Sequence, residues 1–146
     1  MPLQLGSGST DLLLAASASW FSEYSRSFHV SVLYKRNTEG DRDFQFGDLV
    51  NYNVSWNWLV YQQPYPRPEL YLGLEVNGEY ARPNQLGGTE AVDSGGHRIF
   101  LSPTFHLFLS RHWNLEGSVQ FPIYENLNGS QPEEGPRLML GLIFQY

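Results

Sequence analysis

The chain alternates most regularly between apolar and polar side chains over residues 48–60, where the sequence reads DLVNYNVSWNWLV. Bulky apolar residues fill every second position from Val50 to Val60, and only Leu49 and Leu59 break the polar positions between them. A period of two is typical of a β-strand with one apolar face. At about 3.3 Å per residue the strand is roughly 40 Å long, and a tilt of about 45° fits it to the roughly 30 Å core of a bilayer.

Six further segments alternate in the same way, so the sequence predicts seven antiparallel strands. The predicted strands are 11–20, 28–35, 48–60, 70–79, 97–109, 113–123 and 137–146. The connections after the second, fourth and sixth strands are long, and those after the first, third and fifth are short. This alternation is typical of membrane barrels, which have short periplasmic turns and longer external loops. A soluble up-and-down sheet does not require this alternation of long and short connections.

Aromatic residues are sorted by height along the predicted strands. The short-turn rim receives Trp20, Trp56, Trp58, Trp113 and Tyr146, and the opposite rim receives Tyr34, Tyr80 and Tyr124. Two aromatic girdles are expected at the two interfaces of a bilayer. The last strand also ends on an aromatic residue, which resembles the assembly signal of bacterial outer-membrane barrels. Both features favour a bacterial outer membrane as the location.

Composition narrows the possible classes. The 146 residues suit one domain, residues 1–146. A net charge of −6 with only nine Lys and Arg residues argues against nucleic acid as a partner. The chain has no cysteine, so it contains neither disulfides nor thiol chemistry. No run of about 18 apolar residues is present to form a membrane-spanning helix.

The predicted fold is therefore all-β: an antiparallel, up-and-down transmembrane β-barrel surrounded by outer-membrane lipid. Bacterial single-chain barrels have even strand numbers, whereas seven strands are predicted here. Unpaired strand edges are costly in lipid, so something must cover the first and seventh strands. Residues 1–9 could supply an eighth strand, or a missing N-terminal half or a second copy of the chain could complete the wall. The favoured interpretation is that the chain is the C-terminal portion of a larger barrel.

Three stretches near the C-terminus resemble one family. They read GGHRIFLSP at residues 95–103, SVQFPIY at 118–124 and RLMLGLIFQY at 137–146, and the opening LQLGSGSTDLLL is similar to the middle of the same proteins. The family is the outer-membrane transporter-like β-barrel family associated with the meta-pathway of phenol degradation. Its members are about twice as long, so the resemblance covers their C-terminal half. The resemblance implies an outer-membrane channel for small compounds, aromatic compounds included.

The polar positions of the strands predict the lining of a lumen. The lumen-lining residues are predicted to be His29, Asn51, Asn53, Glu75, Arg98, His106, Glu116, Gln120 and Arg137. We expect Arg98 and Arg137 to neutralise Glu75 and Glu116, because a partly desolvated carboxylate is costly without a partner. Such pairing would favour a narrow or plugged lumen.

No set of residues predicts catalysis. His29 and Ser31 have the H-x-S spacing of outer-membrane lipid A deacylases, but the alternation points His29 into the lumen rather than toward lipid. Glu75, Glu79 and Glu116 with His106 could act as paired acids and bases, although barrel interiors produce such sets by chance. The loop acids Glu39, Asp41, Asp43, Glu133 and Glu134 are interpreted as solvated charge rather than a cation site.

The predicted function is a porin-like channel for passive uptake of small compounds, without catalysis, cofactor or metal. The transported solute is not specified by the sequence. Three alternatives stay open: a soluble lipocalin-like binding barrel with its apolar face inward, an outer-membrane lipid-modifying enzyme, and a purely structural barrel.

Overall fold

The structure is a computed structural model that describes residues 8–22, 25–40, 43–64 and 68–146. These residues form strands and connections, and among them no helix is long and apolar enough to cross a membrane. Seven long strands form one antiparallel sheet: β1 (Leu12–Ser22), β2 (Arg26–Arg36), β4 (Leu49–Gln62), β5 (Glu69–Ala81), β8 (Gly96–Phe108), β9 (Trp113–Leu127) and β10 (Arg137–Phe144). Three two-residue strands form a second sheet: β3 (Phe44–Gln45), β6 (Gln85–Leu86) and β7 (Thr89–Glu90).

The order of the large sheet is β1-β2-β4-β5-β8-β9-β10, so each long strand pairs with the next long strand along the chain. The prediction of seven consecutive antiparallel strands is confirmed, and the observed strand ends differ from the predicted ones by a few residues. The small sheet was not predicted. It lies within two of the three long connections, where two-residue pairings leave too short an alternation to detect.

The large sheet is not closed. Among the described residues, β1 pairs only with β2 and β10 pairs only with β9. Because the strands alternate in direction and there are seven, β1 and β10 run in the same direction. Residues 8–11 contribute no strand, and residues 1–7 of the suggested eighth strand lie outside the described part of the chain.

Two register shifts interrupt the large sheet. Between β4 and β5 the pairing moves from Leu59 to Tyr61, which leaves Val60 as an extra residue. Between β8 and β9 it moves from Tyr124 to Pro122, which leaves Ile123 extra. Proline has no N–H to donate to the ladder, so a bulge beside Pro122 is expected.

The three long connections lie at one end of the sheet and hydrogen-bond to one another. Gly47 N donates to Asn84 Oδ1 at 2.9 Å, which joins the β2–β4 connection to the β5–β8 connection. The β5–β8 connection joins the β9–β10 connection through Ser130 N, which donates to Asp93 Oδ1 at 2.7 Å. We call this end the long-loop end, and the opposite end the short-turn end.

Candidate functional site

The two faces of the large sheet differ in chemistry and exposure. Directly opposed residues in an antiparallel sheet point to the same side, so the row Ser17, Ser31, Asn53 and Asn77 defines a polar face. The intervening row, which includes Val54, Val76 and Leu101, defines an apolar face. Ser102 on the polar face is 2% exposed, whereas Leu140 on the apolar face is 67% exposed. The usual arrangement of a water-soluble fold is reversed.

The sheet curls around its polar face. A cavity of about 460 Å³ is lined by Ser17 on β1, Asn53 on β4 and Arg137 on β10. Strands at opposite edges of a sheet can border one cavity only if the sheet bends toward it. We therefore call the polar side the concave face and the apolar side the outer face.

All nine residues predicted to line a lumen lie on the concave face, as their strand registers require. The structure divides them into groups: Asn51, Asn53, Gln120 and Arg137 border the 460 Å³ cavity, Glu75, His106 and Glu116 border a second cavity of about 230 Å³, and Arg98 and His29 lie in separate contacts. Whether they line a solute path stays a prediction.

Arg98 is the centre of a charge cluster near the long-loop end. Its Nη1 lies 3.7 Å from Glu79 Oε1 and 3.6 Å from Glu134 Oε1, and its Nε lies 3.5 Å from Glu125 Oε1. Glu134 also contacts Arg137. Because Glu134 belongs to the β9–β10 connection, this cluster ties that connection to the concave face.

The prediction that Arg98 and Arg137 neutralise Glu75 and Glu116 is wrong. Arg98 contacts Glu79, Glu125 and Glu134 rather than Glu75 or Glu116. Glu116 lies beside His106, with Oε2 3.5 Å from Nδ1. The sequence predicts that the sixth strand ends at residue 123, whereas β9 continues to Leu127 and so includes Glu125. The β9–β10 connection then brings Glu134 back over the concave face, which no pattern within one strand indicates.

Phe100 is an apolar residue on the concave face and is 5% exposed. The Arg137 guanidinium lies 5.1 Å from the centre of its ring. A cation over an aromatic face is attracted by the ring quadrupole, and the same contact shields the ring from water. Phe100 therefore fits a polar face despite breaking the alternation.

His29 and Ser31 share the concave face, and His29 Nδ1 lies 2.8 Å from Ser19 Oγ on β1. Ser19 and His29 are direct partners across β1 and β2, so this contact is a cross-strand pair. Asp11, just before β1, contacts Lys35 Nζ at 2.9 Å, and the lysine holds the pKa of that carboxyl below its usual value. In the described part of the chain, no group of three or more His, Asp or Glu side chains is arranged to hold a metal ion. Asp41, one of the loop acids considered above, lies outside the described residues.

The outer face carries aromatic clusters at both ends. At the short-turn end, the ring centre of Trp113 lies 4.9 Å from that of Phe144. Trp58 lies toward the same end and stacks on Trp56, which lies near the middle of β4, with ring centres 5.0 Å apart. At the long-loop end, His97 lies between tyrosine rings, 6.2 Å from Tyr80 and 5.4 Å from Tyr124. The predicted rims are confirmed for Trp58 and Trp113 at the short-turn end and for Tyr80 and Tyr124 at the long-loop end. The prediction is wrong for Trp56, which lies near the middle of β4, and Tyr61 and Tyr71 lie at the short-turn end as well.

A third cavity was not anticipated from the sequence. It has a volume of about 690 Å³, lies at the short-turn end of the concave face, and is bordered by three aromatic side chains, Phe21, Tyr71 and Phe108. The only sequence signal for it was that Phe108 interrupts the polar positions of its strand.

Comparison with known proteins adds no relative: no family model, curated protein or solved structure matches the chain. The resemblance drawn from the sequence motifs therefore stays an expectation. The functional argument rests on the two faces and the cavities of the sheet.

Proposed function

We propose that the large sheet forms part of the wall of a bacterial outer-membrane β-barrel and that the protein is a passive, non-catalytic channel for small compounds. One observation carries this proposal: the apolar face is the outer, exposed face, and the polar face is the concave, shielded one. Val54, Leu74 and Leu140 are 38, 41 and 67% exposed, whereas Ser55 and Ser102 are 5 and 2% exposed. Lipid would cover such an outer face, and water and solute would occupy such a concave face.

The aromatic clusters support the same proposal. Tryptophan and tyrosine rings are favoured at membrane interfaces because each has an apolar body and a polar group. Trp20 and Trp113 at one end, and Tyr80 and Tyr124 at the other, would then mark the two edges of the hydrocarbon layer. The connected long loops would lie outside the cell, and the short turns in the periplasm.

The open edges determine how the wall would be completed. An added segment that pairs antiparallel with both β1 and β10 must have an odd number of strands, because these edges run in the same direction. A second copy in the same membrane orientation would present its own β1 and β10 in that direction and would form two parallel seams. Further strands of a longer chain are therefore the better candidate.

The soluble binding barrel requires an inward apolar face, and the curvature of this sheet is opposite to that requirement. The lipid-modifying enzyme requires His29 near lipid, whereas the His29 ring contacts Ser19 on the concave face. Neither alternative gains a supporting observation.

Two measurements test the proposal. Gel filtration without detergent should give aggregates, and gel filtration in detergent should give a discrete species, because the outer face needs an apolar cover. When further strands complete the wall, the detergent-solubilised protein should produce conductance steps in a planar bilayer. A monodisperse species without detergent would overturn the membrane assignment, and a folded, inserted protein with a completed wall that never conducts would overturn the channel assignment.

A further inference from the structure

The 690 Å³ cavity at the short-turn end has an aromatic lining on an otherwise polar face. Phe21 on β1 and Phe108 on β8 border it from strands that are four places apart in the sheet order. Tyr71 on β5 lies between them, and its ring meets the Phe108 ring edge to face at 5.9 Å. Phe21 is 80% exposed. Exposed rings that converge on one cavity are available to contact a bound solute.

Glu69 supplies a negative charge to the same cavity. Its carboxylate accepts hydrogen bonds from Gln62 Nε2 at 3.0 Å and from the Tyr71 hydroxyl at 3.5 Å. Both donors are neutral, and among the described residues Glu69 has no ion pair. Glu69 as a whole residue is also partly buried. A partly desolvated charge with only neutral donors is favourable to a cation that enters the cavity.

Two further titratable side chains border the cavity, Arg26 and His106. Arg26 borders the cavity but is exposed. Glu75 and Glu116 lie deeper on the concave face, around the neighbouring 230 Å³ cavity, and the His106 ring is engaged by Glu116. Of the two charged groups that border the cavity, Glu69 is therefore the more buried one.

We propose that this cavity is a binding subsite for a small solute that carries both an aromatic ring and an ammonium group. The inference rests on the proposed function, since it takes the concave face as the solute path. The volume lies in the usual range of about 300–1,000 Å³ for small-molecule sites. Aromatic faces attract both apolar rings and cations, and Glu69 provides the complementary charge. An anionic ring compound meets repulsion from the same carboxylate.

The binding test uses three probes of the same size with different charges: benzylammonium, benzyl alcohol and benzoate. Each is titrated into the full chain in detergent by calorimetry at neutral pH. The expected order of affinity is benzylammonium, then benzyl alcohol, then benzoate, with about a tenfold difference between the cation and the anion, equivalent to about 1.4 kcal/mol. Binding in detergent does not require conductance, so failure of this inference is distinguishable from failure of the channel proposal.

Three variants separate the ring contribution from the charge contribution. Phe108→Ala should weaken benzylammonium and benzyl alcohol alike, by roughly 2- to 10-fold. Glu69→Gln should weaken benzylammonium alone and leave benzyl alcohol unchanged. Arg26→Gln should shift the preference in the opposite direction and favour benzylammonium further. Phe121→Ala, on the outer face, is the matched control and should change no affinity.

Circular dichroism of each variant shows whether the sheet is retained. Benzoate binding equal to benzylammonium binding would overturn the proposal, as would an unchanged affinity in a folded Phe108→Ala protein. The absence of binding by all three probes to the folded parent chain would overturn it as well.

Discussion

Tyr52 on β4 lies over Gly78, its direct neighbour across the sheet on β5. A Cβ added to Gly78 would overlap the Tyr52 ring. The Tyr52 hydroxyl lies 2.9 Å from His97 Nε2 on β8, so the side chain crosses the whole width of β5. The glycine leaves the space that allows one aromatic residue to join three strands on the outer face.

Gly78→Ala should therefore destabilise the sheet by about 1–3 kcal/mol, the usual cost of overpacking. The change can be measured as a shift in the urea midpoint of the protein in detergent. Gly135→Ala is the control, because a Cβ there meets nothing within 4 Å. In Tyr52→Ala protein the same Gly78→Ala change should cost much less; an equal cost in both backgrounds would contradict the proposed contact.

An arginine on the outer face should prevent stable insertion. Val54→Arg is expected to cost about 2–4 kcal/mol in a bilayer, because Val54 lies near the middle of β4 and would bury the charge in hydrocarbon. Asn53→Arg is the matched change on the concave face, where the residue borders a polar cavity. Folding into lipid vesicles measures the difference. Equal losses for the two variants would argue against lipid on the outer face.

Ser55 is a poor control for that comparison despite being polar. Its side chain is 5% exposed, so an arginine there would be excluded by packing rather than by lipid.

Removing the cation at the centre of the charge cluster should loosen the β9–β10 connection. Arg98→Met leaves three carboxylates close together without their common partner. We expect a loss of about 2–3 kcal/mol, less than the 3–5 kcal/mol of a fully buried pair, because the Arg98 side chain is 20% exposed. Limited proteolysis should then cleave residues 128–136 faster. Arg36→Met, at an exposed strand end, is the control and should leave the cleavage rate unchanged. An unchanged cleavage rate in Arg98→Met protein would show that the cluster does not hold the connection.

The open edges can be tested by introduced cysteines, since the chain has none of its own. Ala16 and Val32 are direct partners on β1 and β2, so the pair Ala16→Cys and Val32→Cys should cross-link readily. Ala16→Cys combined with a cysteine at Leu138, Leu140 or Leu142 on β10 should not cross-link within one chain. Efficient cross-linking of any of these pairs would mean that β1 and β10 close on each other.

The sequence alone determined the seven long strands, their order and the chemistry of their two faces. Alternation over residues 48–60 is a local property, since a period of two fixes which side chains share a side of a strand wherever that strand lies. The positions of Trp113 and Tyr80 near strand ends are equally local. The sequence could therefore predict which residues lie on the same face as His29 and Arg98.

Only the tertiary structure decided which residues meet across strands. The register brings Arg98 to Glu79 and Glu125, and the returning loop adds Glu134, while His106 takes Glu116; none of these distances follows from a period of two. The curvature of the sheet brings Phe21 and Phe108 to one cavity from strands far apart in the sheet order. Curvature and register depend on the packing of all neighbouring strands together, so a pattern within one strand cannot encode them.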